Sequence, residues 1–521
     1  MLPTSFVRYK NSKNELKRLL SLILCAASII TCFSACGEAN SGDLTSDITH
    51  TNTENTYDPS DRKDGYIAVK NTSISIKAYY QNPLTGNAAD PVILKSGDTY
   101  YLYSTGGTQL SVRTSKDLRS WSSSKVIFKL SQTSWGVDRC WAPEVHEYEG
   151  KFYLFFCGRD SKQIFHGSVA VCDTPDGTFE PVTEQPLLNF SYSVIDLSFF
   201  LDDDGRTYIF YSKDNSTNRI GDNKVSQSYG VEVSNDFKRL LCSPVLISTP
   251  TEDWETVSGM VIWNEGPVVF KENGKYYLLY SANSYRTAYY SVGYATSDTI
   301  LSFYDKPKDG CILKGNGETI TGSGHCNILR FEDEIYLVYH SHTTPPNTEG
   351  GRSLYIDKLI VKDDGTLYVN GPTITKQPIP DGANGYYKYH GDITVTGELF
   401  KNMQDLNILL DEIIPQGRDG YVEFTDKDSL TFKFPEGQDL DIMWVYPANL
   451  DFRQPASMDI IINNTYIYDD IEFGSLGSPV AVSFSNLPDG TLIEEITFKF
   501  TKATGAGFSA IGEVTFVTKK D

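Results

Sequence analysis

The sequence predicts an all-β chain: a five-bladed β-propeller followed by a C-terminal β-sandwich, jelly-roll like. Three observations carry that prediction. One pattern recurs five times, a polar or charged opening, a short apolar run, a tight turn and an aromatic-rich strand: ADPVILKSGDTYYLYS from Ala89, WAPEVHEYEGKFYLFF from Trp141, DLSFFLDDDGRTYIFYS from Asp196, EGPVVFKENGKYYLLYS from Glu265 and HCNILRFEDEIYLVYHS from His325. Aligned on the tyrosine of the second strand (Tyr101, Tyr153, Tyr208, Tyr277, Tyr336), the copies are spaced by 52, 55, 69 and 59 residues, the period of propeller blades. The chain carries 33 Tyr and 27 Phe against 5 Met, a composition that favours strands. Past residue 385 the repeat stops while apolar and polar residues still alternate at strand period.

Taken in order, the N-terminus places Arg8, Lys10, Lys13, Lys17 and Arg18 before the apolar run 19–35, the build of a secretory signal over residues 1–36. Its end, Phe33-Ser34-Ala35-Cys36, resembles a bacterial lipobox, in which the cysteine, here Cys36, is lipidated and becomes the first mature residue; Phe stands where Leu is commonest. The alternative is an uncleaved anchor helix, since 17 apolar residues reach the lower limit for a membrane span. Residues 37–72 are polar with few aliphatic side chains, too poor in apolar surface to bury a core, and predict a disordered tether.

The propeller is predicted over 73–376. Three of its hairpins turn at Ser96-Gly97-Asp98, Asp204-Gly205 and Asn273-Gly274, and another turns more bluntly at Glu332-Asp333-Glu334. Second, outer hairpins lie at 166–182 and 289–304, and residues 353–373 supply the outer strands of the last blade, giving four strands to each blade. The sandwich is predicted over 386–521 with seven or eight strands, either a carbohydrate-binding module or a structural appendage.

The net charge of -21, from 46 basic and 67 acidic residues, excludes nucleic acid as a partner and leaves the lipid anchor as the sole membrane contact; neutral ligands meet no such repulsion. Cys140, Cys157, Cys172, Cys242, Cys311 and Cys326 show no C-x-x-C pair or zinc spacing and read as scattered buried thiols.

A propeller brings equivalent repeat positions together at one end of its channel. Asp90, Trp141 with Ala142, Asp196, Glu265 and His325 open the five copies, so three carboxylates and a histidine should meet there. Glycoside hydrolysis needs an acid to protonate the leaving oxygen and a carboxylate to activate water or attack carbon; a pair across a funnel leaves room for water, at roughly 6.5–9.5 Å, and favours inversion. Glu265 sits between Trp263-Asn264 and Gly266-Pro267, surroundings that desolvate a carboxyl and suit a general acid. Asp90, before Pro91 at a strand entrance, suits the base, and Asp196 could orient Glu265 and tune it. Singly each has a plainer use: a strand start, a backbone cap, a satisfied ion pair. Their coincidence at repeat positions is what points to chemistry.

The set Asp90-Pro91, Trp141-Ala142-Pro143-Glu144, Ile195-Asp196, Glu265-Gly266-Pro267 and Gly324-His325 resembles glycoside hydrolase family 43 over the whole propeller region. The resemblance implies Asp90 as general base, Asp196 as the tuning carboxylate and Glu265 as general acid, acting with inversion on α-L-arabinofuranosyl or β-D-xylosyl linkages of arabinan, arabinoxylan or xylan. It implies no required cofactor, with a calcium ion in the channel near His325 as an optional occupant held through water; Cys326 departs from the small polar residue or Asn usual after that histidine. Arg352 falls where members place a substrate-contacting arginine. Among the rim aromatics Trp135, Trp141, Phe199 and Trp263, those beside repeat openings, Trp141 and Trp263, are favoured for stacking on sugar. Asp202-Asp203-Asp204 lacks the downstream ligands of a calcium loop, and His340-Ser341-His342 lacks a third ligand and reads as structural. Within the enzyme class an endo-arabinanase is the alternative; outside it, a noncatalytic glycan-binding surface lipoprotein or a protein-interaction propeller.

Overall fold

A computed structural model describes residues 57–71, 78–257, 259–399, 404–415, 420–448, 455–474, 477–503 and 509–520. The signal segment with Cys36 lies outside these residues. Among those described, the only helices are short 3-10 segments of three to five residues, and the rest of the regular structure is strand.

Five four-stranded antiparallel sheets follow one another in sequence, each with its strands in chain order. Blade 1 is Val92–Ser96, Thr99–Ser104, Gln109–Ser115 and Lys125–Lys129; blade 2 is Asp138–Tyr148, Lys151–Arg159, Phe165–Cys172 and Glu180–Pro181. Blade 3 is Val194–Leu201, Thr207–Lys213, Gln227–Val233 and Val245–Ser248; blade 4 is Asn264–Glu272, Lys275–Ala282, Ser291–Ser297 and Cys311–Lys314. Blade 5 is Gly324–Phe331, Glu334–Thr344, Asn347–Val361 and Leu367–Val369. The first strand of each blade touches the first strand of the next, and that of blade 5 returns to that of blade 1, so the ring is closed around an axis. Aromatic and β-branched side chains alternate towards the neighbouring sheets, as in the cluster of Phe155, Phe199, Phe237 and Tyr211 between blades 2 and 3.

The closure has a clasp. Asn82 donates from its side-chain amide to the Ile356 carbonyl at 2.8 Å and accepts the Ile356 N–H at 3.0 Å, mimicking a strand partner. The Leu84 N–H then donates to Leu354 O at 2.8 Å and the Ala88 N–H to Arg352 O at 2.9 Å. The segment leading to Asp90 is thereby bound to the strand that carries Arg352.

Two expectations change. Residues 57–69, the end of the predicted tether, form a hairpin, Tyr57–Lys63 with Tyr66–Val69, whose second strand runs parallel to Tyr466–Glu472 in the sandwich. Its polar average conceals an alternation that buries Ile67 and Val69. The sandwich is thus built from both ends of the described chain, and its C-terminal part holds ten strands rather than seven or eight. At the blunt turn Glu332-Asp333-Glu334, Glu334 is 5% exposed and receives Lys358 Nζ at 2.7 Å and the Lys388 ammonium.

That ion cluster marks the seam between propeller and sandwich. Burial alone would raise the Glu334 carboxyl, but Lys388 and Lys358 hold it well below the usual range. Beside it Tyr80, Tyr336, Leu354 and Ile356 of the propeller form one apolar cluster with Ile442, Trp444, Tyr446 and Val517 of the sandwich. Trp444 is 1% exposed within that shared core. Trp444→Ala is expected to cost about 3–5 kcal/mol, and because the cluster belongs to both parts, the hydrogen-exchange protection of sandwich strands and of propeller strands should fall together; a fall confined to one part contradicts a common core.

Candidate active site

Every blade enters the channel through a residue with left-handed backbone: Asp90 (φ 50°), Ala142 (φ 42°), Asp196 (φ 56°), Gly266 (φ 60°) and His325 (φ 50°). Four of the five are not glycine, and each such residue costs of order 1–3 kcal/mol unless its surroundings impose it. At the same places in blades 2 to 5 the ladder to the second strand slips, between Trp141 and Glu144, Ile195 and Ser198, Glu265 and Val268, and Gly324 and Asn327. These are β-bulges, which bend a strand and re-aim its side chains. The left-handed residue and the two after it, 90–92, 142–144, 196–198, 266–268 and 325–327, line one axial cavity.

The equivalent positions of blades 2 and 4 lie one residue later than Trp141 and Glu265. Ala142 and Gly266 stand at the positions equivalent to Asp90, Asp196 and His325, while Trp141 and Glu265 stand one residue earlier, in the same register as each other. The Asp196-to-Tyr208 interval is a residue longer than the other four, so that counting back from the repeat tyrosine puts Glu265 level with Asp196.

A second ring holds the first. Four residues past each repeat tyrosine come Thr105, Cys157, Ser212, Ser281 and His340. The Ala142 N–H donates to Thr105 Oγ1 at 2.8 Å, the His325 N–H to Ser281 Oγ at 2.8 Å and the Asp90 N–H to His340 Nδ1 at 3.2 Å; the Cys157 sulfur faces the Asp196 amide. In each case the second strand of one blade caps the kinked amide of the next. Only blade 3 departs: the Gly266 N–H donates to Asp196 Oδ2 at 3.1 Å, and the buried Ser212 hydroxyl has no protein partner. A carboxylate has taken the hydroxyl's place beside Glu265.

The three carboxyls lie in different fields. Asp90 Oδ1 pairs with Arg352 Nη1 at 2.5 Å, and Oδ2 accepts the Thr105 hydroxyl at 2.5 Å. Burial would raise its pKa, but Arg352, His325, His340 and that hydroxyl hold it well below the carboxylate range. Asp196 is pushed up to about 6 by burial, with His325 opposing and Asp90 reinforcing the shift. Glu265 is 7% exposed, and burial followed by the charge of Asp196 pushes it well above its usual value, against the Tyr290 hydroxyl that donates to Oε1 at 3.0 Å. One buried acid is thus biased towards its protonated form and another towards its ionised form, the division of labour that acid and base catalysis requires.

The structure brings Asp90, Asp196, His325 and Arg352 together with Glu265. His325 Nδ1 lies 3.5 Å from Asp90 Oδ1, and Arg352, expected as a substrate contact, is the counter-charge of Asp90. Trp141 is half-buried, stacked on Phe165 with ring centroids 4.9 Å apart and overlain by Arg139 at 5.0 Å. Trp263 is half-buried two residues before Glu265. Phe199 does not line the site: it is 9% exposed and packed on Phe155 (5.1 Å) and Phe237 (5.5 Å), because three residues past Asp196 the strand has passed down into the inter-blade core.

Calcium takes about six to eight oxygen ligands. Around His325 the carboxylate oxygens of Asp90 are engaged by Arg352 and Thr105, the Cys326 thiol is pushed up to about 12 by burial, and no group of three His, Cys, Asp or Glu among the described residues could hold a metal. This donor set does not fit a directly coordinated ion. Thr105, Tyr290 and His340 were missed as site residues. Thr105 and His340 share the fourth place after the repeat tyrosine, a signal the repeat already contained; Tyr290 sits in a long loop with none. The six cysteines named from sequence are all free.

A family model, Glycosyl hydrolases family 43, matches residues 80–367, over half of the 521-residue chain. The chain is 28% identical over 310 residues to a beta-D-galactofuranosidase of Aspergillus niger, covering 55% of this chain and 83% of that protein. It is 28% identical over 263 residues to a beta-xylosidase of Xylanibacter ruminicola (46% and 77%) and 28% identical over 281 residues to an extracellular exo-alpha-(1->5)-L-arabinofuranosidase of Streptomyces chartreusis (51% and 83%). The crystal structure of a thermostable family-43 glycoside hydrolase aligns with 38% identity and a TM-score of 0.55, over 58% of this chain and 99% of that one.

The Tyr290 hydroxyl donates to the ionised form of Glu265 and so lowers its pKa. Tyr290→Phe should therefore move the Glu265 titration further up, by up to about one unit for a hydrogen bond of ~1 kcal/mol, as read from the protonated-carboxyl band in infrared difference titration. A downward shift would contradict the arrangement.

Proposed function

We propose, on the premise that the chain belongs to glycosyl hydrolases family 43, that it hydrolyses α-L-arabinofuranosyl or β-D-xylosyl linkages of plant cell-wall polysaccharides with inversion at the anomeric carbon. It is a glycosidase. The observation that carries the mechanism is the opposite surroundings of two carboxyls in one channel: Asp90 is paired with Arg352, which holds its pKa down, and Glu265 is buried beside Asp196, which pushes its pKa up.

Glu265 gives its proton to the glycosidic oxygen as the bond to the anomeric carbon breaks. Asp90 takes a proton from the water that attacks that carbon from the opposite face. One water is consumed, and the cycle closes when Asp90 returns its proton to solvent and Glu265 regains one. Asp196 acts through Glu265: its Oδ2 fixes the Gly266 amide next to the acid, and its charge keeps the proton on Glu265 until the leaving group needs it. Trp263, and what Phe165 and Arg139 leave uncovered of Trp141, supply apolar surface for sugar rings, and Arg352 meets a sugar hydroxyl while it holds Asp90. No cofactor enters this reading. The net charge of -21 suits a neutral polysaccharide. A product profile on arabinan, arabinoxylan and xylo-oligosaccharides identifies the pentose and separates release of single residues from internal cuts.

The protein acts outside the cytoplasm, held to the membrane through lipid on Cys36, on the strength of the signal sequence and of a relative described as extracellular. Cys36→Ser should move the protein out of the membrane fraction; retention there contradicts lipid anchoring.

For the acid role, Glu265→Gln should lower turnover by about 10²–10⁴-fold on a substrate with a poor leaving group and far less on an activated aryl glycoside, which departs without a proton. Equal losses on both substrates would remove Glu265 from that role.

A further inference from the structure

Blade 5 carries a His340-Ser341-His342 run that the mechanism leaves largely unused. Its first histidine supports the Asp90 amide. The second faces elsewhere: His342 Nδ1 accepts the Thr321 hydroxyl at 2.9 Å, and Nε2 donates to the carbonyl of Tyr285 at 2.7 Å. Tyr285 lies in the loop after the second strand of blade 4, and its ring lies under Arg352, with the guanidinium carbon 4.5 Å from the centroid. Arg352 is the cross-strand partner of His342 and pairs with Asp90 Oδ1.

We propose that Tyr285 is a positioning residue for the base, holding the Arg352 guanidinium flat against its ring so that the side chain delivers its charge to Asp90. The inference rests on the reading of Asp90 as base. An arginine has several rotatable bonds, and a pairing at 2.5 Å in one orientation needs something to select it; a ring face supplies an attraction and a wall together. The ring is itself fixed, through its carbonyl by His342 and through its hydroxyl, which accepts Arg286 Nε at 3.1 Å. His342 cannot swing away towards Gly322, where a side chain's first carbon would already lie 2.2 Å from the imidazole. The contacts run from blade 5 through a blade 4 loop back to a blade 5 arginine and on to the blade 1 carboxylate, so the loop after the second strand of blade 4 takes part in placing the base.

The test is a cycle of Tyr285→Leu, Arg352→Met and the double variant, with Tyr285→Phe and Asp90→Asn alongside, followed as kcat and KM on an aryl glycoside. Tyr285→Leu should lower kcat roughly tenfold with a smaller change in KM, Tyr285→Phe should stay within about twofold because it keeps the ring, and Tyr285→Leu should cost little more once Arg352 is methionine. Independent, multiplying losses in the double variant, or a Phe variant as impaired as Leu, overturn the inference. Asp90→Asn with near-normal kcat overturns the reading beneath it; an inactive Asp90→Asn beside a normal Tyr285→Leu overturns the positioning role alone.

Discussion

The site depends on one backbone constraint, the left-handed residue at which each inner strand meets the axis. A regular strand would send successive side chains alternately to the two faces of its sheet, into the cores between blades. The kink breaks that alternation, so that three consecutive residues of every blade contribute to the channel wall. Its cost at four non-glycine positions is offset by a cyclic arrangement in which the second strand of one blade receives the kinked amide of the next. Because the caps run around the ring, Asp90 is placed by blade 5, Ala142 by blade 1 and His325 by blade 4. No carboxylate of the site is positioned by its own blade alone.

Equivalent backbone positions do not make equivalent groups. Asp90 and Asp196 share a backbone conformation, yet one is drawn far down by Arg352 and the other pushed up to about 6 by burial. The difference arises from where the cations lie: among the ionic partners of these three carboxyls, the only arginine approaches from blade 5, beside blade 1, and leaves blades 3 and 4 with an acid pair of the same sign. Two buried acids that repel one another share a proton at neutral pH. Glu265, the one pushed up further by burial and by its neighbour's charge, keeps it, and that proton is what the leaving group requires.

Much of this was legible in the residues. The repeat declares the blade number and the strands of each blade, since aromatic strands bounded by Gly and Asp turns have few other uses. It also names the acids, because a propeller brings repeat openings to one place. The limits are local. Register cannot be read to one residue when hairpins differ in length, so Glu265 was set at a position that belongs to Gly266. Phe199 was assigned to the rim from its nearness to Asp196 in sequence, whereas three residues of strand carry it about 10 Å down the blade. Tyr290 and Tyr285 come from an irregular loop with no period to interpret, and the polar stretch 57–69 hides the short alternation that joins it to the sandwich.

Inversion by a protonated Glu265 and an ionised Asp90 on opposite faces of the sugar has a direct signature in the first product formed. Proton NMR during the first minutes of hydrolysis, before mutarotation, should show β-arabinofuranose released from an α-linked arabinofuranoside, or α-xylopyranose from a β-linked xyloside. First appearance of the anomer with the configuration of the substrate would contradict the account, since it requires a carboxylate bonded to the sugar rather than one that activates water.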